Sequence, residues 1–180
     1  PPNSPRRQRQ MCIRDSNSND ILDRFFKSND YSKDKVNETI SPSMDISVAS
    51  NFERLIYDYY LDRDSDLCSE LYQDFPLKGI RLNENIWKKS TNLFLSYSVD
   101  DNSTYECMKF YYNNLKYIMD PHTAVAVNAV TKLKTELRKK TIILSTAHPA
   151  KFPLPLKNAG INLKDVPKNL KKVMNKKEVS

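Results

Sequence analysis

Thr141-Ile142-Ile143-Leu144-Ser145-Thr146-Ala147-His148-Pro149-Ala150-Lys151-Phe152 is the stretch that decides the fold class. A short apolar, β-branched run stops at two hydroxyls, then at a histidine, a proline and a lysine. A run of that length, closed by turn residues, predicts a buried parallel strand over Thr141–Leu144. Ligands of open α/β sheets gather beyond the carboxyl ends of such strands, so Ser145 and Thr146 stand where chemistry is expected. Upstream, Asp120-Pro121-His122-Thr123 opens a helix, with Asp120 as its N-cap and Pro121 in its first turn. Val127, Val130, Leu133 and Leu137 continue that helix, and Arg138, Lys139 and Lys140 suit the negative end of its dipole. Helix, short link and strand make half of a βαβ unit, which points to an α/β fold.

Further out the helical signals continue. Asn19 is read as the N-cap of a helix carrying Ile21, Leu22, Phe25 and Phe26, closed by Ser28-Asn29-Asp30. Ser50-Asn51-Phe52-Glu53 has the form of a capping box, with Leu55, Ile56, Tyr59 and Tyr60 following at helical spacing. Leu67–Tyr72 reads as helix and Phe75–Leu82 as an edge strand, since Pro76 argues against a central one. Trp87 is assigned to packing. Ser103 is expected to cap a helix with Met108, Tyr112, Leu115 and Met119 on one face. Pro1–Ser16 has no apolar periodicity and is expected to be a disordered or foreign leader outside the fold.

Composition narrows the function. The formal charge of +7 sits at the ends: four arginines against one acid in Pro1–Ser16, and eight lysines against two acids in Lys151–Ser180. Basicity is therefore not clustered on structured elements, and no nucleic-acid partner is expected. Gly79 and Gly160 are the only glycines, where ordinary usage gives about a dozen. A glycine-rich phosphate loop is thus not encoded here. Cys12, Cys68 and Cys107 lack paired spacing, and with two histidines in the chain neither a disulfide framework nor a metal site is expected. No apolar run approaches the ~20 residues of a membrane span, so no membrane partner is expected, and a reducing, cytoplasmic setting is the default.

Four blocks, in order, resemble threonine synthase of the fungal and bacterial type. They are Asn17-Ser18-Asn19-Asp20-Ile21-Leu22-Asp23-Arg24-Phe25; Ser41-Pro42-Ser43-Met44-Asp45-Ile46 with Ser50-Asn51-Phe52-Glu53-Arg54; Asp120-Pro121-His122-Thr123-Ala124-Val125; and Leu144 to Phe152. The resemblance implies the C-terminal part of a tryptophan-synthase-β-like, fold-type-II pyridoxal-phosphate enzyme, with an incomplete parallel sheet and flanking helices. It places a leader at 1–16, the C-terminal part of the catalytic domain at 17–156 (with a helical, partly family-specific insertion at about 50–118) and a basic helical tail at 157–180.

The implied reaction converts O-phospho-L-homoserine and water to L-threonine and phosphate. The family's Schiff-base lysine and its cofactor-phosphate loop belong upstream of Asn17, so the resemblance puts no catalytic residue in this chain. The isolated chain is expected to be inactive. Lys151 falls in a block where the family's catalytic lysine does not. Thr146 matches the hydroxyl that faces the pyridine nitrogen of pyridoxal phosphate, with Ser145 beside it. A neutral hydroxyl there leaves the nitrogen largely unprotonated, which suits elimination and replacement better than transamination. Asp120 and His122 are expected to support the site from behind, and His148 either lines it or buttresses the loop. A non-enzymatic interaction module and another lyase of the same fold are the competing readings.

Overall fold

A computed structural model describes residues 12–88, 94–163, 166–174 and 176, and in it the chain divides into two units. One runs to Glu38 and includes Met44–Ser98; the other joins Thr39–Ser43 to the chain from Val99 onward.

The first unit contains β1 (Cys12–Ser16), α1 (Ile21–Ser28), α2 (Phe52–Leu55) running into a π-helical turn (Ile56–Tyr60), α3 (Ser65–Gln73), α4 (Phe75–Lys78), α5 (Glu84–Trp87) and β2 (Phe94–Ser98). β1 and β2 pair in parallel, from Cys12 opposite Phe94 to Ser16 opposite Ser98. Cys12–Ser16, set outside the fold in the sequence, is thus a strand, because ladder bonds come from the backbone and need no side-chain periodicity. Residues 1–11 of the expected leader lie outside the described residues.

The core of this unit is aromatic. Phe25 and Phe52 meet edge to face at 4.7 Å, with Tyr31 and Tyr60 completing the cluster. Trp87 Nε1 donates to the Phe25 carbonyl at 2.8 Å, giving the packing role expected of it a definite partner. Helix α1 ends at Asn29, in the left-handed region at φ 56°, where its N–H bonds the Phe25 carbonyl. The Asn29 side chain then clasps the Leu82 backbone, donating to its oxygen at 2.7 Å and accepting its N–H at 3.0 Å.

Several boundaries differ from the sequence reading. Asp20, not Asn19, precedes α1. The Asn19 amide is drawn into a buried polar cluster with Asn17, Asn37 and Asp45, an alternative that short polar side chains offer the backbone. The capping box at Ser50 does not form: Asn51 has helical dihedrals and the Phe52 N–H already bonds the Ala49 carbonyl. The stretch Phe75–Leu82 is a helical turn plus a single antiparallel bridge between Ile80 and Tyr31, since Pro76 is better placed in a first helical turn than in a ladder. The expected helical insertion also contains β2.

The second unit holds α6 (Asp101–Leu115), α7 (Pro121–Thr131), α8 (Thr135–Arg138), a 3-10 turn (Pro149–Lys151), α9 (Pro153–Asn158) and α10 (Lys168–Met174). Asp100, rather than Ser103, caps α6 and accepts the Ser103 N–H at 2.7 Å. Met108 and Met119 are buried as expected, but Leu115 is exposed. Helix α7 is buried almost all round, from Pro121 to Val130, as befits a core helix. It stops at Thr131, short of Leu137, and the Arg138 guanidinium takes the Thr131 and Leu133 carbonyls at 2.7 and 3.0 Å, satisfying acceptors that a helix end leaves open.

The central expectation needs correction here. Thr141–Leu144 is not a strand and lies in no regular element. Ile143 packs against the core, whereas Ile142 and Leu144 are 85% and 75% exposed. The alternation is that of a strand with one face open. A strand also requires a neighbour, and the two strands among the described residues pair with each other.

Candidate functional site

Asp120 is fully buried at the head of α7 and both of its carboxylate oxygens accept hydrogen bonds. Oδ1 takes the His122 backbone N–H at 3.0 Å, the Thr123 N–H at 3.3 Å and His122 Nδ1 at 3.0 Å; Oδ2 takes the Thr123 hydroxyl in a short bond. Burial alone would raise this carboxyl. The hydrogen bonds from His122 and Thr123 outweigh it and hold the group below its ordinary value.

The same geometry fixes the His122 tautomer. A carboxylate can only accept, so Nδ1 carries the hydrogen. Nε2 is then the acceptor, and the Ser43 N–H donates to it at 3.1 Å. The Phe152 ring lies 4.8 Å from the imidazole, closing its other side. On the far side of Asp120, the Thr123 hydroxyl lies 3.5 Å from the Ser145 hydroxyl. Ser43, His122, Asp120, Thr123 and Ser145 thus form one polar chain that gathers three stretches distant in sequence.

Of the residues singled out in the sequence, Asp120, His122 and Ser145 are brought together in this chain. Thr146 follows Ser145, exposed and with no hydrogen bond to a described residue. His148 Nδ1 accepts the Ala150 N–H at 3.1 Å and caps the 3-10 turn. Thr123 and Ser43 were missed. Thr123 sits in a quoted block, and its place one helical turn after an N-cap was the available signal. Ser43 acts through its backbone, which side-chain chemistry does not announce.

The exposed Thr146 hydroxyl can donate one hydrogen to an acceptor such as a ring nitrogen. The donor set does not suit a phosphate group. Gly79 ends α4 and Gly160 follows α9, so neither glycine opens a helix N-terminus. A cleft of about 430 Å³, lined by Ala150, Leu156, Ile161 and Leu163 together with Lys157 and Asn162, is mostly apolar and includes neither hydroxyl. Among the described residues no group of histidine, cysteine and acidic side chains is placed to hold a metal, and no helix is long and apolar enough to cross a membrane.

Residues 123–180 match the family model described as threonine synthase, C-terminal. The chain is 40% identical over 147 residues to threonine synthase of Pseudomonas aeruginosa, covering 81% of this chain and 31% of that protein. It is 39% identical over 163 residues to the Saccharomyces cerevisiae enzyme, covering 80% of this chain and again 31% of the relative. In three dimensions it resembles pyridoxal-phosphate-bound threonine synthase from Brucella melitensis, with a TM-score of 0.83 at 31% identity over 94% of this chain and 36% of that one. Yeast threonine synthase gives 0.78 at 34% identity, over 94% of this chain and 38% of that one. The chain therefore spans about a third of the length of the relatives it matches, and its mixed α/β fold with a small parallel sheet matches part of these fold-type-II structures.

Proposed function

We infer that this chain, homologous to the C-terminal region of the threonine synthases, supplies one side of an active site that converts O-phospho-L-homoserine and water to L-threonine and phosphate. The observation that carries the reading is the convergence of three of the four family-like blocks on Asp120, through Ser43, the Asp120–Thr123 turn and Ser145. Separately, each block is a cap or a loop. Joined, they hold the Ser145-Thr146 segment from behind. Pyridoxal phosphate, when bound, supplies the electron sink for the proton removals of elimination and replacement.

The residues of this chain would do the positioning. Thr146 would donate its hydroxyl hydrogen to the ring nitrogen of the bound group, which would favour the unprotonated nitrogen. Ser145 stands beside it. Asp120 and His122 lock the helix start and the loop of Ser43 against them, and Phe152 excludes water from the imidazole. The lysine that holds the cofactor and the loop that holds its phosphate come from the upstream two thirds found in the relatives. A reducing, cytosol-like compartment fits the unpaired Cys68 and Cys107.

Thr146 is tested in a chimera in which residues 17–180 replace the matching region of the Pseudomonas aeruginosa relative. Thr146→Val removes the donor while keeping the shape. It is expected to lower threonine formation about ten- to a hundredfold, the scale of one lost hydrogen bond at a reacting group. Thr146→Ser should recover most of the rate. Unchanged rates in the valine variant would remove Thr146 from the site.

A further inference from the structure

From Ile142 to Ala147 no backbone N–H or C=O is hydrogen-bonded to another described residue. Pairing resumes on either side: the Thr141 N–H bonds the Arg138 carbonyl at 3.2 Å, and the His148 carbonyl accepts the Lys151 N–H at 3.0 Å. A run of unpaired backbone persists only where water or a partner takes it up. Its side chains alternate, with Ile143 packed against the core and Ile142 and Leu144 exposed. Exposed edges are ordinarily guarded by a lysine, a proline or an inward charge that discourages pairing. From Thr141 to Ala147 the sequence has none of these. An unguarded run, apolar on the side it shows and open along its backbone, is suited to accept an added strand.

A second copy of the chain would set Ile142 and Leu144 against their own counterparts, where a stable interface draws on about 20–30 residues a side. The run calls for a larger partner, one that offers a strand edge and an apolar layer over Ile142 and Leu144 together. In the relatives, about two thirds of the length lies outside the part that this chain matches. We propose that Ile142–Ala147 is a docking edge for a strand of the upstream region of a threonine synthase, and that the two assemble even as separate polypeptides. The identity of the partner rests on the function proposed above. Ser145 and Thr146 lie within the edge, so the same pairing fixes the backbone that carries both hydroxyls.

The test co-expresses the 180-residue chain with Pseudomonas aeruginosa threonine synthase cut off before the part that this chain matches, the cut enzyme carrying an affinity tag. A complex of the two is expected, and amide hydrogen exchange separates strand pairing from apolar contact. Successive N–H groups of a strand point to opposite edges. Every second amide from Ile142 to Ala147 should therefore exchange about tenfold slower in the complex than in the chain alone, the factor of one net hydrogen bond. Ile142→Asp with Leu144→Asp should abolish the complex, while the amides of α6 and α7 keep the protection they have in the native chain.

Recovery of the cut enzyme without the chain, or only as aggregate, would overturn the proposal. So would a complex whose 142–147 amides exchange as freely as in the chain alone, or one that survives the double aspartate change. A dimer of the chain with these amides protected would give the edge to a second copy and overturn it too. The function proposed above fails separately. A covalent chimera that makes no threonine refutes that function even where the two pieces assemble; an active chimera whose separate pieces never assemble refutes the docking edge alone.

Discussion

Asp120 does three jobs with one carboxylate: it caps α7, orients His122 and receives the Thr123 hydroxyl. Its replacement by alanine removes a cap and strands several donors in the interior, so a loss of about 2–4 kcal/mol is expected in urea unfolding. Its titration carries a second consequence. The folded value lies below the ordinary 3.8, so the charged form is favoured by folding. This contribution is complete above the ordinary value and disappears as pH falls through the folded one. Asp120→Asn should therefore be less stable at neutral pH, yet lose less stability on acidification than the native chain. Parallel acid-unfolding curves would contradict the proposed network. Asp120 as a cap was legible in the sequence because capping is local. Thr123 as its partner on the way to Ser145 was not, because that contact depends on where a loop returns after a full helix.

Elements show the same division between local and distant causes. The end of α1 at Asn29 and the start of α7 at Asp120-Pro121 follow from side chains within a turn, and both were readable. Arg138 meets the open carbonyls past the end of α7, and Asn19 is held by Asn37 and Asp45, neither of which periodicity can report. The two glycines offer a clean comparison at this scale. Both have positive φ, 67° at Gly79 and 70° at Gly160. A Cβ at Gly79 would lie 2.7 Å from the Ser32 backbone, whereas at Gly160 it meets nothing within 4 Å. Gly160→Ala should cost about 1 kcal/mol, the strain of a left-handed alanine. Gly79→Ala should cost clearly more, since the approach of Tyr31–Ser32 must also give way. Equal losses in thermal unfolding would mean that this close approach carries no energy. In the aromatic core, Phe25→Ala should cost about 3–5 kcal/mol, because its ring is packed edge to face on several sides.

At the scale of the molecule, the segment Thr141–Leu144 is the feature that the sequence identified and misjudged together. Its composition and alternation are those of a strand, but burial is a property of neighbours, and one face stays open with Ile142 and Leu144 on it. Under the proposed function the upstream part of the enzyme covers this face. Ile142→Asp with Leu144→Asp should therefore change the stability of the 180-residue chain by no more than about 0.5 kcal/mol, yet disable the chimera. Under the same proposed function the lysine that holds the cofactor belongs to the upstream part of the enzyme, so the chain alone, mixed with pyridoxal phosphate, should show no Schiff-base absorbance beyond that of free lysines. The most direct test is threonine and phosphate formation from O-phospho-L-homoserine by the chimera carrying residues 17–180. Equal amounts of the two products, at a rate within about tenfold of the parent enzyme, are expected. A folded, cofactor-loaded chimera that releases neither would contradict the assignment of this chain to the threonine synthase active site.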